Sequence, residues 1–314
     1  KTDFFNKKLL EYYKWTKEVK GIIKTEKPNV VHFLYGDVFY KYFGLGLEGL
    51  KKKYKVINTI HALKKGKIGI VSLKRVMHLS SIGVVHTDAI FNEVKDAGIE
   101  NVVHIEYPHF STGYDIDKMG ARKYYSLSEN AFVLGCIGGT RFDKGLDILL
   151  KALQGVTGDF ELLIAGAEDA IKREKIEELA SPYRNRVKLY LDFLTDEEFE
   201  MAIQAVDAIV LPYRKTFNGA SGPLGEGVAK GKMIIAANHG SLGDIVEKNH
   251  LGYTFESENI EVLKKVLNMA VQRTNYMYDE NANMYKKSLN VAEFKKKYRA
   301  IYRIVENTDG RVKK

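Results

Sequence analysis

Two stretches of the sequence hold side chains able to act together on one ligand. In GGTRFDKGLDILL, Arg141 and Lys144 stand three residues apart, between the apolar run AFVLGCIG and an amphipathic run. That spacing puts both cations at the carboxyl end of a predicted strand and the amino end of a predicted helix. Open α/β sheets bind ligands there, and the dipole and free N–H groups of the helix favour an anion. Two fixed cations beside such an end point to phosphate. The second stretch, FNGASGPLGEGVAKGKMII, predicts another helix start, with Pro223 at its first position and Ser221 or Gly222 as cap. Gly225 and Gly227 each weaken a helix by roughly 1 kcal/mol relative to alanine, so the backbone is kept bare for a reason. Glu226 sits between them.

Other phosphate and catalytic motifs fail on spacing. The nearest approach to G-x-x-x-x-G-K-[ST], around Gly231-Lys232, has Glu226 where the first glycine belongs and Met233 where a hydroxyl residue belongs. GCIGGTRFDKG breaks the G-x-G-x-x-G pattern, because Gly135 is followed by Gly138. No Ser/His/Asp arrangement suggests a nucleophilic triad, and no His/Cys/carboxylate cluster has metal-ligand spacing. His61, His86 and His109 each end a predicted strand, in TIHAL, VVHTD and YPHF.

The elements that must position these residues follow from periodicity. From Val30 onward, short apolar runs alternate with amphipathic stretches, the pattern of βαβ units and a parallel sheet. Strands are expected at NVVHFL, KVINTI, GVVHT, NVVHIEY, AFVLGCIG, FELLIAG, VKLYL, AIVLPY, MIIAAN and GYTF. Helices are expected at LDILLKALQGV, AIKREKIEELA, TDEEFEMAIQAV and NIEVLKKVLNMAVQR, with Thr195 and Glu198 forming a capping box. The stretch HFSTGYDIDKMGARKYYSLSEN is polar and aperiodic, and a domain boundary belongs in it. VAEFKKKYRAIYRIVE is a basic amphipathic helix with Phe294, Tyr298, Ile301, Tyr302 and Val305 on its apolar face. The expected division is residues 1–115, residues 116–292, and a final helix within 293–314 that crosses back to the first domain.

At 314 residues the chain exceeds the usual size of a single core, and 45% hydrophobic with 28% charged residues is a globular composition. The net charge of +9 is uneven: residues 1–130 carry 22 Lys and Arg against 14 Asp and Glu, residues 131–314 carry 27 against 26. A basic first half suits an anionic membrane surface or an anionic substrate. Nucleic acid is not expected, for want of a zinc-finger, RNP or helix-turn-helix pattern. A single cysteine, Cys136, excludes an internal disulfide and fits a reducing compartment. With no apolar run of membrane-spanning length, the expectation is a cytoplasmic protein, associated with the inner membrane face if the basic half binds lipid.

Taken together, GGTRFDKGLDILLKAL, FELLIAG and AIVLPYRKTFNGASGPLGEGVAKGKMIIAANHGSLGDIV resemble, in order and spacing, the nucleotide-binding domain of family 4 glycosyltransferases, over about residues 130 to 306. The resemblance implies a GT-B fold, two Rossmann-like domains facing a cleft. The amino-terminal one lacks a counterpart of the family's opening strand and glycine-rich loop. It implies retaining transfer of a sugar from a nucleotide-diphosphate sugar to a glycan or lipid-linked acceptor, without metal or further cofactor. The donor residues it implies are Gly139, Arg141, Lys144, Ser221, Gly222, Pro223, Leu224 and Glu226, with Glu226 on the ribose. Arg141, Lys144 and His61 are the implied catalytic groups. Asn218 stands where the family has the glutamate that contacts the transferred sugar. That departure supports an alternative, a nucleotide-sugar-binding partner subunit without turnover of its own.

Overall fold

The computed structural model describes residues 2–64, 66–110, 116–217, 219–273 and 275–307. It divides into two units, one running to Glu106 and resuming at Phe294, the other spanning Tyr107–Glu293. The first contains α1 (Thr2–Glu26), β1 (Val30–Phe33), α2 (Asp37–Lys41), β2 (Lys55–Ile60), α3 (Lys67–His78), β3 (Ile82–Val85), α4 (Asp88–Asp96) and β4 (Val102–His104). The second contains α5 (Lys118–Tyr124), β5 (Phe132–Ile137), α6 (Leu146–Leu153), β6 (Phe160–Ala165), α7 (Arg173–Ala180), β7 (Val187–Tyr190) and α8 (Asp196–Ala205). It continues with β8 (Ala208–Leu211), α9 (Gly222–Ala229), β9 (Met233–Ala237), α10 (Gly240–Lys248), β10 (Gly252–Phe255), α11 (Ile260–Val271) and α12 (Glu280–Ser288). The last helix, α13 (Val291–Asn307), lies in the first unit from Phe294 onward.

All ten apolar runs expected to be strands are strands, and every pairing is parallel. In the first unit the order is β1-β2-β3-β4. Alternate residues of β2 serve two layers: Val56 and Ile60 pack with α1, α3 and α4, while Ile57 meets Tyr298, Ile301 and Val305 of α13. The predicted apolar face of α13 is therefore the one it buries. Tyr298 and Tyr302 also reach polar partners on the sheet, Thr59 Oγ1 at 3.3 Å and His32 Nδ1 at 2.8 Å.

The second sheet runs β10-β9-β8-β5-β6-β7. Leu134 and Cys136 of β5 face α6, α7 and α11, whereas Val133 and Ile137 face α8, α9 and α10. Burial on both faces explains why these strands read as continuous apolar runs rather than alternating ones. The chain winds outward from β5 to β7, then returns to place β8 on the other side of β5. The gap between the carboxyl ends of β5 and β8 is thus the switch point at which such sheets bind ligands.

The polar stretch read as aperiodic contains a helix, α5. Asp117 caps it through Gly120 N–H at 2.8 Å, and its anchor is a buried arginine, Arg122, which donates to Ala205 O at 3.0 Å and Asp207 Oδ2 at 2.7 Å. A buried charge leaves no apolar period to read. Among the described residues no helix is long and apolar enough to cross a membrane.

Candidate functional site

The loop leaving β5 is shaped by glycines. Gly138 has φ +108°, and a Cβ on it would stand 2.6 Å from Lys144 Nζ, so its bareness lets the ammonium in. Gly145, φ +65°, passes so close to Pro212 O that any side chain is excluded, and α6 starts directly after it. Thr140 pins the loop: its N–H reaches Ala167 O at 3.0 Å, its hydroxyl donates to Ile171 O at 2.8 Å and accepts from Asp169 N–H at 2.8 Å. Gly139 lies against the same neighbour, a Cβ there standing 3.3 Å from Ala167 O.

Arg141 and Lys144 leave this loop in different electrostatic states. Arg141 is half exposed and paired bidentately with Asp143, Nε to Oδ1 at 2.9 Å and Nη2 to Oδ2 at 2.5 Å. That bonding holds the Asp143 carboxyl below its usual range. Lys144 is mostly buried, and among the described residues no carboxylate lies within ion-pair distance of it. Burial lowers its pKa, with the nearby Arg141 charge acting in the same direction. Its Nζ stands 6.0 Å from the centroid of the buried Tyr213 ring. Beneath it, burial pushes the Cys136 thiol up to about 11.

The loop leaving β8 carries the partners. Ser221 caps α9, accepting from Leu224 N–H at 3.4 Å, and its hydroxyl lies 3.2 Å from Tyr213 Oη. Gly222 is the first helical residue and Pro223 the second, one position later than expected, but still in the first turn where a missing N–H costs nothing. Pro223 Cγ lies 3.9 Å from where a Gly138 Cβ would be, so the start of α9 and the β5 loop are neighbours. A Cβ on Gly222 or Gly225 would meet nothing within 4 Å, whereas one on Gly227 would meet Ile209 Cγ1 at 2.9 Å and Ile234 Cδ1 at 3.1 Å. The two glycines flanking Glu226 therefore have different causes: one leaves the helix surface open, the other lets α9 settle on the sheet.

Glu226 is buried, and its Oε1 accepts from Phe110 N–H at 2.5 Å. Burial raises its pKa against the opposing effect of that hydrogen bond. The two loops are braced to each other by Arg214, which donates its N–H to Asp143 O at 2.9 Å, binds Asp147 at 2.8 and 3.0 Å, and stacks 4.0 Å over the Phe142 ring.

Of the predicted residues, Gly139, Arg141, Lys144, Ser221, Gly222, Pro223, Leu224 and Glu226 all belong to this second unit, on the β5 loop and α9. Asn218 lies outside the described residues. His61 belongs to the first unit, where Nε2 lies 2.8 Å from Leu34 O and the ring stacks on Tyr35 at 4.9 Å. Tyr213, Asp143 and Arg214 were not singled out from sequence. The tyrosine ends an expected strand, AIVLPY, but its place beside Lys144 depends on β8 lying next to β5, which local pattern does not state. Among the described residues no group of three or more His, Cys, Asp or Glu side chains is arranged to share a metal ion.

Residues 131–272 match the family model described as Glycosyl transferases group 1. The chain is 24% identical over 271 residues to a glycogen synthase of Rhodopseudomonas palustris, covering 79% of this chain and 52% of that one. It is 24% identical over 281 residues to one of Bacillus cytotoxicus, covering 82% and 50%. It thus spans about half the length of the curated relatives it matches. Among solved structures, sucrose-phosphate synthase from Thermosynechococcus elongatus superposes with a TM-score of 0.76 at 15% identity, covering 93% of this chain and 77% of that one. Anabaena HepE in complex with UDP superposes with a TM-score of 0.74 at 16% identity, covering 90% and 81%. The match to the glycosyl transferases group 1 model is thus confined to residues 131–272, and the two parallel α/β units have the fold of GT-B glycosyltransferases.

Proposed function

We propose that this chain transfers a sugar from a nucleotide-diphosphate sugar to a glycan or lipid-linked acceptor with retention of anomeric configuration. The observation that carries the reading is Lys144: a mostly buried ammonium with no carboxylate within ion-pair distance among the described residues, at the switch point, beside the open first turn of α9. A diphosphate there supplies the missing counter-charge. The fold relative HepE was solved with UDP and with UDP-glucose, which supports the choice of ligand class.

In this reading Lys144 and the α9 N terminus stabilise negative charge as the bond to the leaving diphosphate breaks, an electrostatic contribution of several kcal/mol. Arg141 joins them by exchanging Asp143 for a phosphate oxygen. Leu224 N–H, now held by Ser221, is the further donor released when a phosphate takes over the cap. Glu226 holds the ribose hydroxyls with Oε2, the carboxylate oxygen not taken up by Phe110. For His61, in the first unit, a role toward the sugar or phosphate rests on the family resemblance alone. No metal or further cofactor takes part, so EDTA leaves the rate unchanged.

Asn218, where the family has a glutamate, favours a second reading, donor binding without turnover by the chain alone. Incubation with UDP-, ADP- and GDP-sugars, glycan and lipid-linked acceptors, and product analysis by NMR separates the two. An α-linked product from an α-linked donor supports the first, an inverted product contradicts retention, and donor binding with no product supports the second.

A further inference from the structure

A basic cavity lies in the same unit as the site above, at the opposite edge of its sheet. It encloses about 390 Å³ and opens among Lys118, Asp207, Lys230, Lys232, Arg273 and Tyr276. Lys232 directly precedes β9 and Asp207 directly precedes β8, so the cavity sits at the amino-terminal ends of the strands. Strands of this length hold the two edges roughly 15–20 Å apart.

The charges around this cavity do not cancel. Its one carboxylate, Asp207, is already occupied: it accepts from Arg122 at 2.7 Å, from Lys118 at 2.5 Å and from Val133 N–H at 2.7 Å. Lys230 leans on Glu200 at 3.4 Å. Lys232 is only 8% exposed, donates to Gln204 O at 2.8 Å, and among the described residues has no carboxylate within ion-pair distance. Arg273 is likewise engaged by neutral groups, donating to Tyr253 Oη at 2.9 Å and lying 5.3 Å over the Tyr276 ring. A buried lysine is expensive to keep unless something pairs with it. Capping the end of α8 through Gln204 O uses one of its three N–H donors and leaves two for the cavity.

We propose that this cavity binds a small phosphate-bearing dianion, a phosphate monoester or free phosphate, with Lys232 as its central contact and Lys118, Lys230 and Arg273 around it. The ligand is distinct from the sugar donor, and the inference does not depend on transfer. Binding also keeps Lys232 protonated. Burial otherwise lowers that lysine to about 8, with Lys118, Arg122 and Lys230 acting in the same direction and Asp207 against them. Affinity accordingly falls as pH rises through that value.

The test is calorimetric titration of the whole chain with inorganic phosphate and with glycerol 3-phosphate, at constant ionic strength. Wild type and Lys144→Met are expected to bind alike. Lys232→Met, which replaces a buried charge by an apolar chain of similar length, is expected to fold and to bind at least about tenfold more weakly. Arg273→Gln, at the surface, gives a smaller loss and keeps the test decisive should Lys232→Met misfold. Undiminished binding in both variants, binding abolished by Lys144→Met, or no binding at about 10 mM ligand overturns the proposal. Retention of glycerol 3-phosphate binding with loss of free phosphate binding, or the reverse, tells which of the two sources the cavity takes.

Discussion

Lys144 carries its charge where, among the described residues, no carboxylate lies within ion-pair distance, and that fixes the sign of what its removal does. Its folded pKa lies below the unfolded value of 10.5, so folding favours the neutral amine. The penalty is present at neutral pH and is relieved as pH rises toward the unfolded value. Lys144→Met should therefore leave the melting temperature of the ligand-free protein unchanged or higher, while weakening nucleoside-diphosphate binding about 10- to 100-fold, the range for a charge-assisted bond. Glu226 behaves in the mirror sense. Its folded pKa lies above the unfolded 4.5, so stability falls as pH rises from 4.5 through the folded value. Glu226→Gln should flatten that dependence, keep neutral-pH stability at least equal, and reduce affinity for donors carrying ribose; a calorimetric titration with unchanged donor affinity removes the ribose assignment.

At the scale of elements, α9 separates two kinds of glycine that look alike in sequence. Gly225→Ala meets open space and should add up to about 1 kcal/mol of helix propensity, yet weaken donor binding if the ligand approaches that surface. Gly227→Ala must displace Ile209 and Ile234 and should cost about 1–3 kcal/mol, measurable by denaturant unfolding. Apolar runs were enough to place every strand, because a strand covered on both faces has no polar alternation to confuse it. The Thr195–Glu198 capping box was equally legible, since a cap is a local event and both of its hydrogen bonds form. What could not be read was long-range: α5 is held by the buried Arg122, and Tyr213 and Arg214 acquire their roles only because β8 returns beside β5. The Arg141–Asp143 pair is local by contrast, the two being only two residues apart.

For the molecule as a whole, the uneven charge of the sequence has a structural counterpart on α3. Its outward residues include Ile68, Ile70 and Val71, the first 74% exposed, with Lys67, Lys74 and Arg75 among them and no acidic residue in the helix. On the reading of a lipid-linked acceptor, this chain should sediment with vesicles containing anionic lipid and remain in solution with neutral ones. High salt should release it, and Ile68→Asp with Val71→Asp should abolish the association. Sedimentation that ignores lipid charge would detach the acceptor proposal from the basic first unit without touching the donor site.

The central claim, that Lys144 and the open end of α9 hold a diphosphate, is tested most directly by thermal unfolding with UDP, ADP and GDP in wild type and Lys144→Met. At about one-hundred-fold excess over Kd, the preferred nucleotide should stabilise wild type by about 2.7 kcal/mol, a rise of roughly 5–10 °C, and should raise the variant far less. Equal stabilisation of the two proteins, or none of wild type by any nucleoside diphosphate, would contradict it.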